Sequence, residues 1–181
     1  MMRNLTYTGM KIDWDAPRSF VRVPDIAHAL ANQAMFYGHT TSFYSKAQHC
    51  VELSLLLEER GAGPTSAMIG LLSRALDVYG VPEGGCGGGI WMGFLDALGV
   101  VCEDTFPDEV LAARTALTAS EVVTLFRVVA DPPPAVVRKI RPLQPRDAER
   151  VWLERYECIV EQGNLHATPR VVDAKLAAAV R

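Results

Sequence analysis

The side chains of this 181-residue chain that could do chemistry are few. The four cysteines, Cys50, Cys86, Cys102 and Cys158, form no CxxC pair and show no metal-type spacing. Three of them sit in apolar, helix-like surroundings, where a cysteine reads as a small buried hydrophobe. The run from Gly80 to Gly89 holds six glycines in ten residues. It cannot hold a regular element, and a phosphate-binding loop is the tempting reading. No GK[ST] follows it, no strand precedes it, and it matches GxGxxG only loosely, so a flexible surface loop at 84–89 is the expectation. His28 lies on an amphipathic helical stretch and reads as a packed histidine that caps or bridges. His166, after Gly163-Asn164, reads as a surface loop residue. Glu52, Glu58 and Glu59 follow helical spacing and suggest a solvated face. Arg138, Lys139 and Arg141 make a short basic cluster that reads as solvated surface. Phe43 and Tyr44 could stack on a nucleobase, though core packing is the commoner fate of such aromatics. Trp91, Phe126 and Trp152 read as core.

Composition limits the partners. The formal charge is −3, so nothing global attracts nucleic acid or an anionic membrane. An anion site must come from a local cluster of basic residues. Hydrophobic residues make up 49%, in the range of a globular protein, and the length suits one compact domain spanning 1–181. No apolar run reaches the length of a membrane span. The first fifteen residues lack the apolar region of a signal peptide. A reducing cytosol is therefore the expected compartment.

The elements that must position these residues read as helical. Residues 1–24 form an extended lead-in, with a short strand or turn around Thr6-Tyr7-Thr8-Gly9 and Ile12-Asp13-Trp14, closed by Pro17 and Pro24. Asp25 is a candidate N-cap for a helix that Gly38 ends. A second helix starts between Ser42 and Ser45 and runs to Arg60, with Gly61 as its stop. Pro64 suits the first turn of a third, from Thr65 to about Tyr79. A short helix is expected over 90–99. A longer one opens at Pro107-Asp108-Glu109, with acids where the helix dipole favours them, and reaches about Ala130. Asp131-Pro132-Pro133-Pro134 is a firm break. The pattern resumes from Pro145 to Gln162, and a last helix is expected over Pro169–Val180. These elements predict an all-α single bundle of about six or seven helices behind the lead-in.

Four stretches in order resemble one family. Thr6-Tyr7-Thr8-Gly9, Asp25-Ile26-Ala27-His28-Ala29-Leu30, Gly38-His39-Thr40 and Phe43-Tyr44-Ser45-Lys46-Ala47-Gln48-His49 are similar to the start of HD-domain phosphohydrolases. The likeness is to bacterial 5′-deoxynucleotidases and phage dATP triphosphohydrolases. Ile140-Arg141-Pro142-Leu143 through Ala148-Glu149 to Leu153-Glu154-Arg155-Tyr156 resembles the closing segment of that family. The resemblance implies a helical fold, chemistry on phosphate esters, and helix-mediated oligomers, so a homodimer is plausible on that ground alone.

In that family a histidine, an adjacent His-Asp pair and a distant aspartate hold a divalent metal, which activates water and polarises the phosphoryl group. His49 matches the first histidine. The resemblance puts Ser73 at the second histidine and Arg74 at its aspartate, with Asp77 at a nearby helix acid. An ungapped continuation puts Arg114 at the distant aspartate. An arginine offers only donors and repels a cation. The family's metal site is therefore not expected to assemble, and no cofactor is implied. Two guanidiniums could instead neutralise phosphate directly, with bidentate geometry. The expectation is a pocket of His49, Ser73, Arg74 and Arg114, with Asp77 and His39 near it, that binds a nucleotide or other phosphorylated ligand without hydrolysing it. Asp77 could instead pair with Arg74 one turn away. Two alternatives stay open. The chain could be a scaffold that keeps only the fold, its arginines neutralised by Asp77, Glu52 or Glu121. It could also be an active nucleotide phosphohydrolase with a rearranged site.

Overall fold

The computed structural model describes residues 5–81, 88–101, 107–127 and 136–163. The fold is all-helical. Among the described residues six α-helices follow one another: α1 Val23–Asn32, α2 Lys46–Glu59, α3 Pro64–Leu72, α4 Gly88–Ala97, α5 Asp108–Leu125 and α6 Pro145–Gly163. Among the described residues β-structure is confined to two isolated bridges, Leu5 with Lys11 and Ala34 with Ser45. The glycine-rich run at 82–87, the proline break at 132–134 and the expected helix at 169–180 lie outside the described residues.

Local signals explain most helix ends. Ser45 caps α2, its side chain accepting from the Gln48 N–H at 3.1 Å, a cap worth about 1 kcal/mol. Gly61 follows with φ of 80°, a left-handed conformation that glycine adopts without a Cβ penalty. Pro64 stands in the first turn of α3 and Asp108 and Glu109 in that of α5.

Four expectations need correction, the first being the end of α5, which stops at Leu125 with an extended Phe126 and does not reach Ala130. Asp25 is not a cap: Arg22 is the N-cap of α1, and Asp25 stands one turn inside, fully buried. Its carboxylate accepts from the Thr8 backbone N–H at 2.6 Å and the Thr8 hydroxyl at 2.8 Å, pinning the lead-in to the bundle. α1 ends at Asn32, and Gly38 closes a separate turn, Met35–Gly38, whose inner residues Phe36 and Tyr37 have positive φ. The third helix breaks at Ser73 and resumes as a 3-10 segment, Ala75–Tyr79.

The core is one cluster drawn from every helix. Gly70 lets α2 and α3 approach closely: a Cβ there would come 2.6 Å from Leu57 Cδ1. Glu109, at the start of α5, accepts from Ser66, at the start of α3. Leu125, at its end, accepts from the Thr41 N–H just before α2. So α5 runs parallel to α3 and antiparallel to α2. Trp152 and Trp91 are buried as expected, while Phe126 is half-buried against Phe36. No helix among the described residues is long and apolar enough to cross a membrane.

Candidate functional site

The α2–α5 seam carries the most concentrated polar chemistry in the core. His49 stands one turn into α2, and its Nδ1 lies 2.7 Å from Glu121 Oε1 on α5. The Tyr44 hydroxyl donates to the same oxygen at 2.5 Å. All three side chains are fully buried. Burial first, then the neighbouring Glu121 carboxylate, pushes the Tyr44 phenol well above its ordinary pKa. The phenol therefore stays a neutral donor. Two further atoms of this group, His49 Nε2 and Glu121 Oε2, are buried with no hydrogen-bond partner among the described residues. Leaving such atoms dry costs about 1–3 kcal/mol each, so their presence asks for a reason.

The α3 end adjoins this seam. Ser73 Oγ lies 3.6 Å from the thiol of Cys50, the residue after His49, and the Arg74 backbone also engages that thiol. Burial pushes Cys50 up to about 11, so it remains a protonated, unreactive thiol at neutral pH. Ser73, Arg74 and Asp77 are each half-buried.

The structure sorts the residues that the sequence singled out. Ser73 and Arg74 meet Cys50 at the α2–α3 contact, whereas the neighbouring His49 side chain faces Glu121 on α5. Arg114 is half-buried on α5, seven residues before Glu121. Seven residues are two turns, so it shares the face of Glu121 but stands about 10 Å along the axis. His39 is exposed just after the turn Met35–Gly38, its N–H bonded to the Phe36 carbonyl. Asp77 binds Lys46 Nζ at 2.6 Å, joining the 3-10 segment to the start of α2. Tyr44 is core. Phe43 is 40% exposed.

The acids proposed to neutralise the arginines have other partners. Glu121 serves His49 and Tyr44, Asp77 serves Lys46, and Glu52 pairs with Arg138. Arg138 also reaches Glu59 at 2.9 Å, so neither it nor Glu52 is simply solvated. Glu58 pairs with the buried Arg155, which also donates to Ser54. The expected solvated acid face is thus a set of tertiary ion pairs. His28 bridges as expected, its Nδ1 3.2 Å from Glu149 on α6 and its ring stacked on Tyr7 at 3.7 Å.

No protein-family model matches the chain, and no curated protein matches its sequence. The chemistry must therefore be read from the side chains. Among the described residues no three His, Cys, Asp or Glu side chains gather closely enough to hold a metal ion. A separate open cleft of about 590 Å³ lies between the lead-in and α4, lined by Trp14, Pro17, Gly89, Ile90 and Gly93. It contains none of the candidate residues and is apolar.

Sequence reasoning missed Glu121 as the partner of His49. The signal was present. Val110, Ala113, Leu117 and Glu121 share the buried face of α5, and Glu121 is a carboxylate at a core-period position. A carboxylate there has to be paired.

Proposed function

We propose that this chain is a catalytically degenerate HD-phosphohydrolase-like protein that binds a phosphorylated small molecule, a nucleotide as the favoured class, without hydrolysing it. The observation that carries the reading is the state of His49. Glu121 holds Nδ1, and this fixes the ring so that Nε2 points away from the carboxylate. A carboxylate behind an imidazole is the usual means of orienting that ring toward a ligand. Nε2 itself is buried without a hydrogen-bond partner among the described residues. Ser73 and Arg74 adjoin Cys50, the next residue along, where a hydroxyl and a guanidinium suit a phosphate.

The divalent metal that the resemblance implies does not fit these donors. One imidazole remains, a serine hydroxyl is a weak ligand, arginines repel cations, and Glu121 adds a single carboxylate whose Oε1 is already shared by His49 and Tyr44.

A second reading has its own observation. His49 and Glu121 are both 0% exposed, which suits a polar pair that only ties α2 to α5 in a scaffold. A nucleotide-panel thermal shift separates the two. A ligand at a hundredfold excess over its Kd adds about 2.7 kcal/mol, or roughly 5–10 °C for a chain of this size. The binding reading expects that shift in the wild type and its loss in Arg74→Ala with Arg114→Ala. If no nucleotide raises the wild-type Tm, the scaffold reading stands. Phosphate release by the metal-free protein would refute both.

A further inference from the structure

Residues 136–143 form a non-helical strap between α5 and α6, and it is tied down at the residue before each site residue. Gln48, before His49, donates through Nε2 to the Arg141 carbonyl at 2.8 Å and accepts through Oε1 from the Leu143 N–H at 2.8 Å. Ser120, before Glu121, accepts at Oγ from the N–H groups of Val137 at 2.9 Å and Arg138 at 3.3 Å. The Arg138 side chain pairs with Glu52 and, at 2.9 Å, with Glu59, both on α2. The strap therefore spans the α2–α5 seam. The His49–Glu121 hydrogen bond crosses the same seam, and both side chains are sealed from solvent.

The way the strap is held differs from the helices beneath it. Among the described residues no backbone–backbone hydrogen bond attaches it to another element. Its ties are side-chain hydrogen bonds, one ion-pair clasp and one buried apolar residue, Ile140. Val136 and Val137 are 50% and 44% exposed, so that end buries little apolar surface. Such a segment can open locally without unravelling a helix, because few buried contacts and no ladder hydrogen bonds resist it.

We propose that this strap is a gate over the His49–Glu121 seam, latched by Arg138, Gln48 and Ser120, and that its release exposes His49 Nε2. The gate rests on the reading of His49 as ligand-facing, and it reconciles a ligand-oriented ring with its complete burial.

The test uses the full chain and diethyl pyrocarbonate, which acylates unprotonated imidazole, with each histidine followed by peptide mass spectrometry. In the wild type, exposed His39 should react promptly and His49 should not. Replacing Glu52→Gln with Glu59→Gln removes the clasp carboxylates, and Ser120→Ala removes one latch more gently. Each should raise the His49 rate, the double variant by about tenfold, which is what about 1.4 kcal/mol of lost latch energy does to an opening equilibrium. The rates of His39 and His28 should not change. A His49 rate that stays at the wild-type value in both variants overturns the gate. So does a rise at His49 matched by an equal rise at His28, which bonds Glu149 on α6 and is touched by none of the strap's ties. If the gate opens while no nucleotide stabilises the protein, the strap inference stands and the ligand reading falls. Nucleotide stabilisation with His49 equally shielded in all three proteins has the opposite meaning.

Discussion

Glu121 holds His49 from across the bundle: 72 residues separate them in sequence, and 2.7 Å separates Oε1 from Nδ1. Tyr44 donates to the same oxygen, so one carboxylate oxygen joins the turn before α2, α2 itself and α5. Removing that carboxylate strands two buried polar groups at once. Glu121→Ala should cost about 3 kcal/mol, and Tyr44→Phe about 1–2 kcal/mol, in urea unfolding. The two groups share a partner, so the double variant should cost less than the sum by about 0.5 kcal/mol or more. Strict additivity would show that the three side chains do not act as a unit.

Tyr37 gives the opposite sign. Phe36 and Tyr37 both have positive φ, 51° and 54°, in a turn whose geometry favours Asn and Gly. Neighbouring contacts enforce it: the Met35 N–H bonds the Tyr44 carbonyl at 2.8 Å, and Phe36 packs on Phe126. A left-handed bulky residue costs about 1–2 kcal/mol. The Tyr37 side chain is 97% exposed and loses little by removal. Tyr37→Asn should therefore stabilise the protein by about 0.5–1.5 kcal/mol. A lower urea midpoint would mean that the exposed tyrosine makes a contact worth more than the backbone strain.

Cys50 predicts an alkaline effect. Its folded pKa is raised by burial from 9.0 to about 11, so the folded state holds the proton more tightly than the unfolded chain. That contribution is fully present below pH 9 and is lost as pH rises toward 11, amounting to about 2–3 kcal/mol. Tyr44, Tyr79 and Tyr156 are raised too, again by burial first, but from an ordinary value of 10.0. The window between pH 9 and 10 is where the thiol contributes most, while the tyrosines begin to contribute only toward its upper end. Urea midpoints should fall more steeply through that window in the wild type than in Cys50→Ala. Equal slopes in the two proteins would rule out the buried, protonated thiol.

Ion pairs of different burial should separate cleanly. Lys46 and Asp77 are 22% and 14% exposed at 2.6 Å, whereas Arg150 and Glu154 are 59% and 58% exposed. Asp77→Asn should cost about 1–2 kcal/mol, because it leaves a half-buried ammonium without its counter-charge. Glu154→Gln should cost far less than Asp77→Asn, and less still at high salt. Similar costs for the two would show that the Lys46 pair is solvated in solution.

Much of the fold was legible where a local signal carries it. The start of the second helix between Ser42 and Ser45, Gly61 as its stop and Pro64 as a first-turn proline were legible, and the structure has all three. The break at Ser73 was not legible, because Ser73-Arg74-Ala75 contains no helix breaker. There the chain tightens to a 3-10 segment, with Ser73 against Cys50 and Asp77 on Lys46. Asp25 misled for a related reason. An aspartate before an apolar run looks like a cap, and only the folded lead-in could supply Thr8 as its partner.

By itself the sequence determined the helical periods and many of the helix ends. Only the tertiary structure decided which charge meets which: Glu121 with His49, Arg138 with Glu52, Lys46 with Asp77. The reason is physical. A helix's apolar period says which face turns inward, but the partner it meets there depends on the rotation and axial offset of a second helix. Those are set by close packing across the whole core, such as the approach at Gly70.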